Sequence, residues 1–450
     1  MKKAVPMLRE SEQQELDLAG AASNRVIIPS PKRDARRTRE RRHLPWETNY
    51  AAFSPNFAEA AVRQLCLPGR VKVFDPFVGA GTTLEAAASV GVEAYGIELN
   101  PYSALLARCR VSTNAQMKVV TDIFRSATAP LKRTRASKST TSLRTPSNVV
   151  ESLVGAVAAR ANCQASDLLG HLCLRPDGDL DSEIVALVAA LHVLKKQAAV
   201  HYRSNPAWLI QGPSPDRIED DESPAENLET AFRTQVQLMI EDLHLRAKGS
   251  AARPIAVYPG PFQTAPVQSR QISRFLTSPP YLNRLDYVNP TLPELHALGW
   301  QQGARLDDLR ARMMGTTKMR RKLGAGRLSS TTATKLLEAI SEHPTKASGT
   351  YYLKFFRQYF EDMADFLGWM RSRSTPTCRG IVVLQDSFYK EIKVPIAQII
   401  SEFAEAVDFT VEVLHEEKRT RHMGTLSPHQ RAHAPEKALT EFTFLLSRTR

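Results

Sequence analysis

Two short segments hold the residue types from which chemistry could be built. Ser278-Pro279-Pro280-Tyr281 directly follows the apolar run RFLT. Neither proline has a backbone N–H and both fix φ, so the turn presents carbonyl oxygens without competing donors. Ser278 adds a hydroxyl acceptor. Such an array suits an amino group whose lone pair is delocalised into a ring. Acceptors aimed at its two protons localise that pair and make the nitrogen nucleophilic. Tyr281 offers an aromatic face for stacking, and a base inside a duplex must be flipped out before its amine can be reached. On its own, SPPY is an ordinary proline turn. Its weight comes from the second segment.

That segment is DPFVGAGTT, from Asp75 to Thr83, placed where an apolar strand hands over to a helix. Gly79 and Gly81 allow a tight turn and close approach of a ligand to the backbone. The helix that follows starts with unpaired N–H groups, and open α/β sheets bind ligands at this end of their strands. No lysine follows the glycines, which excludes a phosphate-cradling P-loop, and the spacing is not GxGxxG, which weakens a dinucleotide reading. Glu98, at the end of the next strand, is placed to accept hydrogen bonds from both hydroxyls of a ribose. S-adenosyl-L-methionine fits these features, with contacts from Asp75, Pro76, Phe77, Gly79, Gly81, Thr82, Glu98 and Asn100. The plainer alternative makes Asp75 a helix cap and Glu98 a surface carboxylate.

The elements needed to position these groups are legible as strand–helix alternation. FSPNFAEAAVRQL reads as a helix starting near Ser54–Pro55, VKVFDPF as a strand and GTTLEAAASVG as a helix ending at Gly91. VEAYGIEL is a second strand and NPYSALLARCRV another helix, a parallel α/β pattern. The pattern breaks over 112–250, where SATAPLKRTRASKSTTSLRTPSN has the composition of a linker and three helical periodicities follow it. Within this stretch Asn205-Pro206-Ala207-Trp208 imitates the proline tetrapeptide but lacks its second proline, and reads as a helix-terminating turn. Strands return with IAVYPGPF, RFLTSPPY, RGIVVLQDS, DFTVEVLHEEK and EFTFLLSR, joined by the helices YYLKFFRQYFEDMADFLGWMRS and VPIAQIISEFAEAV. The expected organisation is a basic arm over 1–42, a first catalytic part over 43–111, a linker plus helical insertion over 112–250, and a second catalytic part over 251–450 with a basic segment near 303–350.

Composition bounds the classes. The 450 residues are 42% apolar and 24% charged, as in ordinary soluble proteins, and can bury a large core. No apolar run reaches bilayer length, and the N-terminus lacks the apolar core of a secretory signal. The five cysteines are scattered with no CxxC pair, so neither a disulfide framework nor a metal site is indicated, and a cytoplasmic setting fits. A formal charge of +13 points to a polyanionic partner.

DPFVGAGTT with Glu98-Leu99-Asn100-Pro101, together with SPPY, resembles the amino-group DNA methyltransferases, which make N4-methylcytosine or N6-methyladenine. NYAAFSP, Asn49 to Pro55, looks like the family segment that closes over the methionine end of the cofactor. VVLQDSFY before VPIAQIISEFAEAVDF is similar to the C-terminal half of DNA modification methylases. The resemblance covers about 49–111 and 255–450. It implies a Rossmann-like S-adenosylmethionine-dependent methyltransferase sheet with a helical insertion, a double-stranded DNA partner, catalysis by Ser278, Pro279, Pro280 and Tyr281, and the company of a cognate restriction endonuclease. Ser in the first motif position is similar to the cytosine-N4 members, although here the cofactor motif precedes SPPY, the reverse of their commonest order. YPGPFQTA carries no acid where the family often holds the adenine ring.

DNA contacts are expected from Asn283, Arg284 and Asp286 just past the turn, and from Lys318, Arg320, Arg321 and Lys322. A basic arm ending in Lys32, Arg33, Arg36, Arg37, Arg39, Arg41 and Arg42 is a further candidate. The competing readings are an adenine-N6 enzyme of the same design, an RNA guanine-N2 methyltransferase, and a non-catalytic DNA-binding protein on the same fold.

Overall fold

The computed structural model describes residues 28–31, 46, 53–67, 71–133, 146–197, 200–202, 209–211, 228–247, 253–283, 285–300, 303–316, 318–320, 328–419 and 439–449. The basic run of the N-terminal arm, the Asn205–Trp208 imitation, and Asn49 to Ala52 of the closing segment lie outside the described residues.

Seven strands make the central sheet: β1 (Val73–Asp75), β2 (Ala94–Glu98), β3 (Ile255–Pro259), β4 (Ile272–Thr277), β5 (Ser374–Gln385), β6 (Phe409–Arg419) and β7 (Leu439–Arg448). Their spatial order is β3-β2-β1-β4-β5-β7-β6. β1 pairs parallel with both β2 and β4, β2 with β3, and β4 with β5. Only β7 runs antiparallel to its neighbours β5 and β6. This is the α/β sheet that the strand–helix pattern predicts, with the Rossmann-like arrangement and helical insertion that the resemblance implies. The order reverses at β1, because the chain winds outward through β2 and β3 before crossing back to β4. A reversal of that kind opens a crevice at the carboxyl ends of the central strands.

Helices cover both faces. On one side lie α1 (Pro55–Cys66), α2 (Thr82–Val90) and α3 (Pro101–Cys109) with the insertion helices α4 (Met117–Arg133), α5 (Pro146–Arg160), α6 (Leu168–Leu174), α7 (Asp181–Gln197) and α8 (Leu228–Ala247). After β4 come α9 (Leu292–Ala297) and α10 (Ala304–Arg312). α11 (Thr331–Glu342), α12 (Leu353–Arg373) and α13 (Ile396–Glu405) pack on the opposite face.

The starts of the first helices follow from sequence. Ser54 caps α1 by accepting from the Phe57 N–H at 3.2 Å, and Pro55 occupies the first turn. Gly91 ends α2 at φ +72°. The expected linker is corrected at its ends: 126–133 continue α4 and α5 begins at Pro146. Serine and threonine there do not stop the helix, because their hydroxyls bond back to carbonyls one turn earlier, as Thr128 Oγ1 does to Phe124 O at 2.9 Å. Phe124 on the apolar face stacks on Phe232 of α8, with ring centroids 3.9 Å apart.

The insertion shares the core of the sheet. Every residue from Leu180 to Lys195 is buried, so α7 is enclosed by its neighbours as a helix apolar on all sides must be. Its charged ends are paired, Asp181 with Arg108 at 2.9 Å and Lys195 with Glu294 at 2.7 Å. No described helix is long and apolar enough to cross a membrane.

Candidate active site

β1 is only Val-Phe-Asp, and all of it is buried. Its last residue, Asp75, is 2% exposed and joins three parts of the site. Oδ1 accepts from the Phe77 N–H at 3.0 Å and from the Thr277 hydroxyl at 2.7 Å, and Oδ2 accepts from the Thr83 hydroxyl at 2.6 Å. Phe77 lies in the glycine turn, Thr83 in the first turn of α2, and Thr277 is the last residue of β4, immediately before Ser278. One carboxylate therefore ties the glycine loop to the strand that delivers SPPY. Burial pushes the Asp75 carboxyl up to about 6, against the three donated hydrogen bonds that favour its charged form.

The turn itself is shaped by two glycines at positive φ, Gly79 at +55° and Gly81 at +91°. At Gly81 the requirement is steric as well. An added Cβ would stand 2.9 Å from the Ala107 Cα, so α2 can start against α3 only without a side chain. Glu98 holds the turn from the neighbouring strand: Oε2 accepts from the Gly79 N–H at 2.8 Å and Oε1 from the Asn100 N–H at 2.8 Å. Each carboxylate oxygen has two lone pairs, so capacity remains for a ligand. Burial raises the Glu98 carboxyl to about 7; the two N–H donors oppose this and the nearby Asp75 adds to it. Neither plain alternative describes the site, since Asp75 bridges two strand ends and the half-buried Glu98 is held by the Gly79 and Asn100 N–H groups.

Pro76 is buried, and Thr82 opens α2 with 5% exposure. The Phe77 ring packs edge-on against Phe366 of α12, centroids 4.9 Å apart, so it steadies the turn. Asn100 departs from expectation. Its Oδ1 caps α3 by accepting from the Tyr102 and Ser103 N–H groups, and its Nδ2 donates to Thr291 Oγ1 at 2.7 Å and Tyr287 O at 3.4 Å. With 2% exposure its side chain is a link inside the protein, corrected from a cofactor contact.

Around SPPY the polar groups are held one by one. Pro280 O accepts from the Tyr359 hydroxyl at 3.1 Å, and Tyr281 O from the Asn283 N–H at 2.8 Å. Leu282 O accepts from the Ser387 hydroxyl at 2.6 Å, and the Tyr281 N–H donates to Tyr287 Oη at 3.3 Å. Ser278 Oγ lies 3.4 Å from Tyr281 Oη. Tyr281 itself is half-buried.

Several of the expected DNA contacts also have partners within the protein. Asp286 Oδ1 accepts from the Val288 and Asn289 N–H groups, and Oδ2 from Arg310 Nε at 3.0 Å, so Asp286 shapes the loop after the turn. Lys318 pairs with Asp307 at 2.6 Å and Arg320 with Asp362 at 2.6 Å. Asn283 stands beside Tyr281 and Tyr287, whereas Arg284, Arg321 and Lys322 lie outside the described residues. Sequence reasoning missed Thr83, Thr277, Tyr287, Tyr359 and Ser387. Thr277 and Tyr287 flank the motif and could have been suspected, but nothing in the sequence singles out Tyr359.

Beyond Glu98 a cavity of about 680 Å³ opens at the ends of β2 and β3, walled by Leu99, Pro101, Pro259 and Trp300 together with charged side chains such as Asp167 and Arg175. The guanidinium of Arg305 lies 3.9 Å over the Trp300 ring at its rim.

No family model matches the chain, and no curated protein matches it. Among solved structures it is similar to the rRNA methyltransferase aviRa from Streptomyces viridochromogenes, at 10% identity over 90% of each chain with a TM-score of 0.29. At that level the likeness adds nothing to what strand order and site geometry establish.

Proposed function

We propose that this chain transfers a methyl group from S-adenosyl-L-methionine to the exocyclic amino nitrogen of a base in double-stranded DNA, with cytosine N4 as the target. One observation supports this above the others: Asp75 binds Thr83 and Thr277 together, so the glycine turn and SPPY emerge from adjacent strand ends at the point where the sheet order reverses.

The residues present suit the cofactor. A half-buried carboxylate with spare lone pairs suits a ribose, the turn DPFVGAGTT has no lysine to hold a phosphate, and the cavity past Leu99, with Trp300 and prolines in its wall and polar groups at its edge, suits a purine ring. That cavity supplies the adenine wall that YPGPFQTA furnishes without an acid. When bound, the cofactor supplies an electrophilic methyl group on a sulfonium.

The chain's own residues prepare the other reactant. Tyr281 offers its face to a flipped base. Ser278 Oγ and the carbonyls of the proline turn accept the amine protons and localise the nitrogen lone pair. Ser278 in the first position favours cytosine, as in the family that the motif resembles. The charge of +13 supports a polyanionic partner. Phosphate contacts would come from the basic N-terminal arm and from Lys318 and Arg320, whose ion pairs with Asp307 and Asp362 leave both side chains partly exposed.

The test is nucleoside analysis by mass of DNA from cells expressing the chain, with Tyr281→Ala as control, and single-molecule sequencing to locate the modified site. N4-methylcytosine in the wild type alone supports the reading. N6-methyladenine would reassign the base, and methylguanosine in RNA with unmodified DNA would overturn the DNA assignment.

A further inference from the structure

The catalytic turn is braced by residues far from it in sequence, and the braces are selective. After Pro279, every carbonyl as far as Leu282 is engaged: Pro280 O by Tyr359, Tyr281 O by the Asn283 N–H, and Leu282 O by Ser387. The carbonyls of Ser278 and Pro279 accept no hydrogen bond from the described residues. An amine has two protons and needs two acceptors at fixed positions. An unengaged third carbonyl one residue away would compete for a proton and draw the nitrogen out of line.

We propose that Tyr359 is a positioning residue: its hydroxyl holds the Pro280 carbonyl, so that only the oxygens of Ser278 and Pro279 stay open to the target amine. This role rests on the amino-methyltransferase function proposed above. Tyr359 sits on α12, is 1% exposed, and reaches the turn from the helical layer on the far face of the sheet. Its own place is fixed by that aromatic layer, with the Phe360 ring at 6.0 Å between centroids. The hydroxyl is a constant donor, because burial pushes the phenol well above its ordinary range and the neighbouring Tyr287, Tyr281 and Asp362 push the same way. The role therefore introduces no ionisation of its own.

The second brace converges on the same stretch from another element. Ser387 lies just past β5, in the Asp-Ser sequence of VVLQDSFY, and fixes Leu282 O at 2.6 Å. Tyr359 and Ser387 thus fix alternate peptide planes of the turn from two separate parts of the fold.

The experiment compares full-length wild type, Tyr359→Phe and Ser387→Ala in single-turnover methylation of duplex DNA. It also measures affinity for S-adenosylhomocysteine by calorimetry, affinity for DNA by fluorescence anisotropy, and thermal melting. Tyr359→Phe keeps the ring and removes only the donor. Its turnover should fall roughly 10- to 100-fold, the range expected from misplacing a reacting group by up to about 1 Å. Both affinities should stay within about twofold and the pH–rate profile should keep its shape, a split expected of positioning rather than of ground-state binding. Ser387→Ala should move in the same direction by a smaller factor. Turnover of Tyr359→Phe within about twofold of wild type overturns the proposal whatever Ser387→Ala does, and so does a rate loss matched by lost cofactor or DNA affinity. An inactive wild type overturns the functional reading and this role with it, whereas an active wild type with equally active variants removes the role alone.

Discussion

If S-adenosyl-L-methionine binds as proposed, the desolvated Glu98 carboxylate makes its affinity depend on pH in a defined direction. In the free protein burial raises its carboxyl to about 7, so near neutrality a substantial fraction carries a proton. Ribose hydroxyls donating to Glu98 favour the charged form. Binding therefore releases a proton, and affinity is gained as pH rises towards about 7 and level above it. The upper limit follows from full restoration of the ordinary value of 4.5 on binding. Because one pKa unit corresponds to about 1.36 kcal/mol, or tenfold, affinity at pH 5 would then be roughly 70-fold weaker than at pH 8. Calorimetry with S-adenosylhomocysteine across this range, in buffers of different ionisation enthalpy, measures both the affinity and the proton count. Glu98→Gln keeps the acceptor oxygen without the ionisation, and should bind more weakly at pH 8 with a flat profile. A flat wild-type profile, or a Gln variant that keeps the slope, would show that Glu98 does not meet the ribose.

Gly81→Ala should lower the melting temperature and weaken cofactor binding together, because it combines a φ of +91° with a Cβ 2.9 Å from the Ala107 Cα; strain of this kind costs about 1–3 kcal/mol. Asp75→Ala leaves the buried hydroxyls of Thr83 and Thr277 without their acceptor, at about 1–3 kcal/mol for each unsatisfied group in urea unfolding. Asp75→Asn should lose less, since the Thr83 hydroxyl can turn to accept from the amide. Asn100→Ser retains a side chain that caps helices well but lacks the amide that reaches Thr291 and Tyr287. It should leave each ligand's separate affinity near wild type and reduce the coupling between cofactor and DNA binding, as read by titrating one at saturation of the other. Unchanged coupling would mean that the Asn100 bridge carries no communication.

What was legible in the sequence follows from how local the cause was. Strand, glycine turn and helix around Asp75–Val90 are set by neighbours along the chain, and so is the Ser54 cap; these elements are legible from pattern alone. The linker was misjudged at its edges, because a Ser/Thr-rich composition looks unstructured until α8 supplies Phe232 as a partner for Phe124. Charge was the least readable property. Lys318 and Arg320 look available in sequence, but Asp307 and Asp362 approach them only in the folded chain. Asp286 likewise turned from a candidate contact into the acceptor that fixes Arg310. Tyr359 was beyond reach, since its apolar neighbours on α12 mark it as core and only the tertiary fold brings Pro280 to its hydroxyl.

The two halves of the site are joined by more than proximity. Along one route, Asp75 binds the glycine turn and α2 to the end of β4. Along another, Glu98 accepts from the Asn100 N–H, the Asn100 amide donates to Tyr287 and Thr291, and Tyr287 Oη accepts from the N–H of Tyr281. Both routes run from groups assigned to the cofactor to groups assigned to the base, and both consist of buried or half-buried hydrogen bonds with little freedom to rearrange separately. A ligand that orders Glu98 and the Gly79 turn is therefore expected to restrain the segment carrying Tyr281, the coupling that the Asn100→Ser titration measures. By linkage, a base held against Tyr281 as proposed would restrain the glycine turn to the same degree. Such a fold favours filling both halves together, the condition that a direct transfer between two bound groups requires.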